Sequence, residues 1–220
     1  MIIAIDGPAG AGKSTISKLL AEKLGFLYVD TGAMYRALTL KVIRLKADFK
    51  DIEKLIEIST STEIRLKKGE SRSTIVLLDG EDVTIPIRKP EVTNAVFRVA
   101  AIYPIRSRMV KFQREYANND SIVMEGRDIG TVVFPQARKK FYLDAKTLVR
   151  AKRRKLELEK KGIEINIEDI VEQIEARDMR DKTRDCGPLK QAEDAVYIDT
   201  SLMNIQEVVS CLLSHIKHEK

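Results

Sequence analysis

The sequence has few features of a secreted or membrane protein. It contains two cysteines among 220 residues, Cys186 and Cys211, without the spacing of metal ligands, and we expect both to be free thiols in a reducing compartment. No apolar run approaches the about 18 residues that a membrane-spanning helix needs, and the N-terminus lacks the basic and apolar regions of a signal peptide. We therefore expect a cytoplasmic protein with no membrane partner.

Aromatic residues are also scarce, at 5% of the chain. Proteins that bind single-stranded nucleic acid stack bases on aromatic side chains, and this composition offers few such platforms. The net charge of +6 could attract nucleic acid, but much of the arginine is confined to residues 106–108, 150–154 and 177–184. Arginines clustered in this way suit a small phosphorylated ligand, so we expect no nucleic-acid partner.

Apolar strands and amphipathic helices alternate along the chain. Helices are expected after Asp30, over residues 91–117 with a break near Pro104, and over 146–184 with an interruption near Gly162. Buried strands are expected at residues 2–5, 26–30, 121–125, 140–144 and 195–200. Five short strands separated by helices predict an α/β fold, with a five-stranded parallel sheet between two helical layers.

One segment departs from this alternation. Residues 63–84 alternate apolar with polar residues and carry turn signals at Lys68-Gly69 and at Asp79-Gly80. This pattern predicts a small antiparallel sheet inserted into the α/β frame.

The strongest motif directly follows the first strand. In "IDGPAGAGKST", Gly7, Gly12, Lys13 and Ser14 fit G-x-x-x-x-G-K-[ST] between a predicted strand and a predicted helix, the context of a phosphate-binding loop. Backbone N–H groups can converge on phosphate oxygens there, while the lysine reaches the β- and γ-phosphates and the serine hydroxyl ligates Mg²⁺. The alternative is a glycine-rich turn with a solvated lysine. The expected ATP contacts are Gly7, Pro8, Ala9, Gly10, Ala11, Gly12, Lys13, Ser14, Thr15 and Arg154, with Ser14 as the metal ligand.

Two further strands end in polar residues. In "VDTGAMYR", Asp30, Thr31, Tyr35 and Arg36 follow the second strand, at the sheet edge where ligands bind in open parallel sheets. Alternatively, Thr31 is a helix N-cap and Arg36 faces solvent. In "SIVMEGRDIGT", Arg127 and Asp128 would emerge near the phosphate loop if this strand neighbours the first. A structural ion pair is the alternative there.

The stretch "ARDMRDKTRD" concentrates charge. On a helix, one face would carry Arg177, Arg180, Asp181 and Arg184. Guanidiniums on one stripe repel each other unless anions occupy them, although charged helix faces are usually only solvated. Phosphoryl transfer favours the functional interpretation, because arginines stabilise the transferred charge and a mobile segment can deliver them. Residues 150–154 repeat the same arginine spacing.

Together these motifs resemble the bacterial cytidylate kinases, within the nucleoside monophosphate kinases. The match is carried by "IDGPAGAGKST", "VDTGAMYRA", "EGRDIGTVVFP", "FYLDA", "RDMRDKTRDCGPL" and "VYIDT" in that order, and it runs over nearly the whole chain. The resemblance implies a three-layer P-loop NTPase fold and one domain over residues 1–220. Its parts would be a core (1–60, 91–149 and 186–220), a monophosphate-binding insertion (about 61–90) and a helical lid (about 150–185).

The resemblance also implies an activity and roles for the residues. The expected reaction is ATP- and Mg²⁺-dependent phosphorylation of CMP and dCMP in pyrimidine nucleotide metabolism, by a monomer. Arg36 and Arg127 would hold the CMP phosphate, Arg106 and Asp128 the cytosine, and Arg177 and Asp181 the ribose, with Arg184 near the transferred group. The full CMP set is Thr31, Gly32, Tyr35, Arg36, Arg106, Arg127, Asp128, Arg177 and Asp181. The catalytic set is Lys13, Arg127, Arg177, Arg180 and Arg184.

One residue departs from the family pattern. Phe97 stands where the family commonly has a serine that contacts the base, and the family's proline lies one residue before Pro104. A carboxylate such as Asp128 can accept a hydrogen bond from the cytosine amine, which UMP lacks, so CMP and dCMP are expected as substrates over UMP.

Two alternative functions stay open. One is a kinase for another small acceptor such as UMP, AMP or a sugar acid, and the other is a nucleic-acid-stimulated ATPase with Glu125 as its metal-binding carboxylate.

Overall fold

A computed structural model describes residues 1–69, 74–118, 120–160 and 162–217. Part of the turn predicted at Lys68-Gly69 therefore lies outside the described residues. In chain order the strands and helices are β1 (Ile2–Asp6), α1 (Lys13–Leu24), β2 (Leu27–Asp30), α2 (Thr31–Arg44), α3 (Ile52–Thr60), β3 (Ile64–Lys68), β4 (Thr74–Leu78), β5 (Glu81–Asp82), α4 (Pro90–Ala100), α5 (Tyr103–Glu115), β6 (Ile122–Gly126), β7 (Lys139–Asp144), α6 (Thr147–Glu159), α7 (Ile167–Thr183), β8 (Val196–Asp199) and α8 (Ile205–Lys217).

The predicted parallel sheet is confirmed. Within the described ranges, its five strands lie in the order β2, β6, β1, β7, β8, and every neighbouring pair is parallel. Side chains alternate between its two faces: Ile3 and Ile5 pack with α1 and α8, whereas Ala4 packs with α2 and α5. The sheet is therefore buried between two helical layers, as short continuous apolar strands require.

The small antiparallel sheet is also confirmed. Strands β3, β4 and β5 pair in that order, with Ile64 opposite Leu78. The apolar residues of this insertion, including Leu66 and Val76, belong to the same buried cluster as α2. The insertion thus extends the main core instead of forming a separate one.

Helices α6 and α7 are built differently. They pack on each other through a small cluster centred on Ala151, Ile170 and Ile174, which is separate from the two clusters that flank the sheet. The predicted interruption near Gly162 separates them.

Three local features bear on the predictions. The predicted break near Pro104 is confirmed: it lies at residues 101–102, and Pro104 occupies the first turn of α5, where its missing N–H costs no hydrogen bond. The N-cap of α2 is Asp30, whose side chain accepts from the Ala33 N–H, and Thr31 is already helical. Arg184 follows the end of α7 in an extended conformation, so it does not continue the stripe of Arg177 and Asp181.

Two further expectations concern the whole chain. Both cysteines are free thiols. Among the residues with a described structure, no helix is both long and apolar enough to cross a bilayer. Helix α3, by contrast, was not predicted, although Asp51 caps its first turn.

Candidate active site

The phosphate loop joins β1 to α1, so the predicted strand, loop and helix follow one another as the motif requires. Gly7 has a φ of 146°, and a Cβ there would clash with the Leu143 carbonyl oxygen of the neighbouring strand β7. The loop can therefore lie this close to the sheet only with glycine at position 7. Along the loop and the first turn of α1 lie eight more of the predicted ATP contacts, Pro8, Ala9, Gly10, Ala11, Gly12, Lys13, Ser14 and Thr15.

Lys13 is the first residue of α1, and its side chain is buried. Its Nζ donates to the Pro8 carbonyl oxygen at 2.7 Å, so the ammonium is held within the loop. Burial, together with the nearby positive charge of Arg127, lowers the pKa of Lys13 to about 7. An incoming phosphate would favour the charged ammonium, because opposite charge raises the pKa of a lysine.

The end of β6 lies beside the end of β1, with Gly126 paired to Asp6. The condition for Arg127 and Asp128 to emerge near the loop is therefore met. The Asp6 carboxylate accepts from the backbone N–H groups of Ile129 and Gly130, at 2.8 and 2.7 Å, and so fixes the π-helical turn that follows Asp128. Burial is the main cause that raises the pKa of Asp6 to about 6.

Helix α7 reaches this edge through an ion pair. Arg127 Nε donates to Asp181 Oδ2 at 2.8 Å, and both side chains are largely buried. Burial by itself would raise the pKa of Asp181, but the charges of Arg127 and Arg177 lower it overall. Burial, and then the positive charge of Arg127, lowers the pKa of Arg177 to about 10. Guanidiniums crowded around one carboxylate in this way could bind an anion.

A second ion pair lies behind the first. Arg106 on α5 contacts Asp128, and both side chains are about 95% buried. The segment after α7 covers the pair: Arg184 Nη2 lies 3.8 Å from Asp128 Oδ1, and a Cβ on Gly187 would clash with Asp128 and Arg106. The Arg106 guanidinium also lies over the ring of Tyr35, 5.5 Å from its centroid.

Arg36 is held at the end of β2. Its Nη2 lies 2.8 Å from Asp30 Oδ2, and a Cβ on Gly32 would approach the same guanidinium. Thr31 donates to the backbone oxygen of Glu125 at 2.8 Å, which joins the ends of β2 and β6. Arg36 thus faces the same sheet edge as Arg127 and does not lie on a solvated helix surface.

The arginines of α6 have different surroundings. Arg150 was named in the sequence only for its spacing, yet it is buried and donates to the Ala9 carbonyl of the phosphate loop at 3.1 Å and to Asp178 at 2.6 Å. Arg153 donates to both oxygens of Thr200. Arg154, the predicted ATP contact, is exposed and pairs with Glu157 on its own helix.

Arg180 is also separated from the cluster. It is exposed on α7, and its guanidinium carbon lies 4.4 Å from the centroid of the Phe97 ring on α4. The structure therefore brings Arg36, Arg127, Arg177 and Arg184 to one edge but directs Arg180 and Arg154 elsewhere.

Oxygen atoms suited to magnesium lie at the start of α1. The side chain of Ser14 interacts with Tyr28 and with the buried carboxylate of Glu125, and the Tyr28 hydroxyl donates to Glu125. Hydroxyl and carboxylate oxygens fit Mg²⁺, which keeps several waters and binds substrate phosphates. Such an ion needs no all-protein cage, and the described residues contain no group of three or more His, Cys, Asp and Glu that could form one.

Comparison with known proteins gives one consistent result. A family model described as "Cytidylate kinase" matches residues 3–218. A cytidylate kinase from Desulforamulus reducens is 50% identical over 218 residues, covering 99% of this chain and 97% of that protein. Another, from Caldicellulosiruptor saccharolyticus, is 48% identical over 211 residues, covering 96% and 93%. A solved structure of an uncharacterized protein from Eubacterium ventriosum has a TM-score of 0.53 at 14% identity, covering 100% and 99%, a likeness of fold alone.

Proposed function

The chain belongs to the cytidylate kinase family, and from this premise we propose that it phosphorylates CMP and dCMP with ATP and Mg²⁺. A phosphate oxygen of the acceptor attacks the γ-phosphorus of ATP in line, the bond from that phosphorus to the bridging oxygen breaks, and ADP leaves. The acceptor phosphate is already ionised, so no protein nucleophile or base is required. Catalysis then consists of positioning and charge stabilisation.

A single observation carries this proposal most directly. Arg127, Arg177 and Arg36 gather at the sheet edge beside the phosphate loop, and two of them are held by carboxylates that a phosphate can replace, Asp181 for Arg127 and Asp30 for Arg36. This supports a second phosphate-bearing substrate opposite ATP. Lys13 would bind the β- and γ-phosphates, and Arg184 would lie near the transferred group.

Magnesium would be held by Ser14 through its hydroxyl, with Glu125 nearby. Bound there with ATP, it would supply neutralisation of phosphate charge. Arg180 lies against the Phe97 ring, apart from the other guanidiniums, so the proposed catalytic contacts are Lys13, Arg127, Arg177 and Arg184.

The buried pair Arg106 and Asp128 supports a pyrimidine with an exocyclic amine. Asp128 can accept a hydrogen bond from the cytosine amine, whereas the uracil carbonyl would leave the carboxylate unsatisfied. Arg177 and Asp181 would contact the ribose, and Thr31, Gly32 and Tyr35 would line the monophosphate side. We also propose that residues 61–90 bind the monophosphate and that 150–185 act as the lid of a monomer.

The test is ADP formation with CMP, dCMP, UMP, AMP and dTMP as separate acceptors, with and without Mg²⁺. We expect the highest kcat/KM with CMP or dCMP and loss of activity without Mg²⁺. Lys13→Ala should abolish turnover while circular dichroism and the unfolding midpoint stay unchanged. Near-normal turnover in folded Lys13→Ala, or ATP hydrolysis stimulated by polynucleotide without CMP phosphorylation, would contradict the proposal.

A further inference from the structure

Phe97 links two helices on opposite sides of the site. Its ring, on α4, is 38% exposed, and the guanidinium carbon of Arg180 on α7 lies 4.4 Å from its centroid. Arg98 lies 5.8 Å from the same ring and 5.4 Å from that of Phe49. A row of alternating rings and guanidiniums therefore runs from the loop between α2 and α3, across α4, to the lid.

The two helices flank the candidate site. On α4, the Ala100 carbonyl accepts from Arg106, which contacts Asp128. On α7, Asp181 pairs with Arg127, one residue beyond Arg180. The contact between Phe97 and Arg180 therefore joins the helix behind the proposed base site to the helix that brings Arg177 and Asp181 over it.

Arg180 contacts an aromatic ring, whereas other arginines near the site contact carboxylates. Arg127 and Arg184 face carboxylates, whereas among the described residues Arg180 has an aromatic face and its own helix's Ala176 carbonyl as partners. A guanidinium over an aromatic ring at an exposed position contributes a modest attraction. Such a contact can form and separate as α7 moves, because it requires no desolvation of a charge pair.

We propose that Phe97 and Arg180 form a closing contact that holds α7 over the nucleoside monophosphate and so sets the affinity for that substrate. Arg180 is then a positioning residue, and it acts through Phe97 instead of touching the transferred group. This inference rests on the proposed function only for the identity of the substrate.

The test is a double-mutant cycle of Phe97→Leu, Arg180→Met and the double variant, with Phe49→Leu as the control. Phe49→Leu removes a ring from Arg98 but does not involve α7. We expect each single variant to raise the Kd and KM for CMP about two- to fivefold, with no further rise in the double variant. The kcat and the unfolding midpoint should change little, and Phe49→Leu should bind CMP as the unmodified protein does.

Two outcomes would overturn the inference. An additive cycle would mean that the residues act independently, for example because Phe97 touches the base and alters the preference between CMP and UMP. A fall in kcat of about 100-fold in Arg180→Met, with or without Phe97, would make Arg180 a catalytic residue.

A second measurement separates this inference from the proposed function. Hydrogen exchange of the free protein needs no substrate, and α7 amides should exchange faster in Phe97→Leu and in Arg180→Met by the same factor, but not in Phe49→Leu. Unchanged exchange of α7 would contradict the closing contact even if the protein phosphorylates CMP. Inactivity towards CMP together with faster exchange would contradict only the proposed function.

Discussion

The two segments that flank the candidate site, the antiparallel insertion and the helical pair α6 and α7 that we propose as the lid, are attached to the core in different ways. The insertion buries Leu66, Val76 and Leu78 in the same apolar cluster as α2. Among the described residues, the buried apolar side chains of the lid form a small cluster of their own around Ile174. Its links to the rest of the protein include charged groups, such as the contacts of Arg150 with Ala9 and of Asp181 with Arg127.

This difference predicts different responses to ligands. Substrate phosphates cannot replace the apolar contacts of the insertion, so the insertion should keep its position whether or not substrate is present. Charged links can be exchanged for phosphate oxygens, so the position of the lid should depend on what occupies the site. We therefore expect the lid to change position more than the insertion when the site is occupied.

The largest effect should come from breaking the lid's ion pair with β6. Arg127→Met removes both the partner of Asp181 and a guanidinium that we propose contacts the substrate phosphate, and we expect kcat to fall by about 10³ or more. Arg44→Met is the matched control, because it breaks an exposed arginine–carboxylate link between α2 and Glu81 of the insertion. Steady-state kinetics should leave that control within about twofold of normal. Similar losses of kcat in both variants would mean that the lid and the insertion do not differ in this way.

The next effect concerns global stability. Leu78→Ala should lower the free energy of unfolding by about 2–5 kcal/mol, because its side chain is buried in the main core. Ile174→Ala, in the lid cluster, should lower it by about 1 kcal/mol or less, since the lid can open without unfolding the sheet. Urea unfolding followed by circular dichroism measures both. An equal loss would mean that the lid unfolds together with the core.

The free energy of unfolding should depend on pH through Asp6, at the end of β1. Burial raises the pKa of Asp6 to about 6, from an ordinary 3.8, and the charge of Asp128 adds to the rise while Lys13 opposes it. This group favours the folded state below about pH 4, and that contribution is lost as the pH rises through 6. The free energy of unfolding relative to Asp6→Asn should therefore fall by about 2 kcal/mol between pH 4 and 7. A difference in the free energy of unfolding between the two proteins that does not change with pH would contradict the raised pKa of Asp6.

The smallest effect should come from the link between the lid and the phosphate loop. Asp178→Asn leaves Arg150 without its charged partner, and we expect kcat/KM for ATP to fall about tenfold and trypsin to cleave α6 and α7 faster. Glu157→Gln, which removes the exposed partner of Arg154, is the control and should change neither. Faster cleavage within the insertion would argue against a loosened lid.

The order of the strands along the chain and the position of the phosphate loop could be predicted because their signals are local. Apolar runs mark the strands, and Gly25 ends α1 in the left-handed conformation that its type favours. The break near Pro104 could be predicted for a local reason too, because proline is favoured in the first turn of a helix. Asp51, a residue type that favours helix N-caps, precedes α3 in the sequence, but this signal was not used to predict the helix.

The partners of Arg106, Arg127 and Arg150 could not be predicted, because each of these three pairs joins segments far apart in the chain. Arg127 and Asp181 meet only because β6 lies beside β1 and α7 folds over that edge. Arg184 matched a helical spacing, but the chain turns back after Thr183, with the Leu189 N–H donating to the Asp181 carbonyl at 2.7 Å. The role of Asp6 could have been suspected, since a carboxylate at the end of a buried strand needs partners.

The two oxygens of Asp30 serve separate purposes. Oδ1 accepts from the Ala33 N–H at 2.9 Å and so begins α2, while Oδ2 pairs with Arg36 at 2.8 Å. Arg36 can therefore leave Oδ2 for a substrate oxygen without disturbing the start of the helix. Much of the rotamer entropy of this long side chain is lost during folding, so a ligand would bind a guanidinium whose orientation is already fixed.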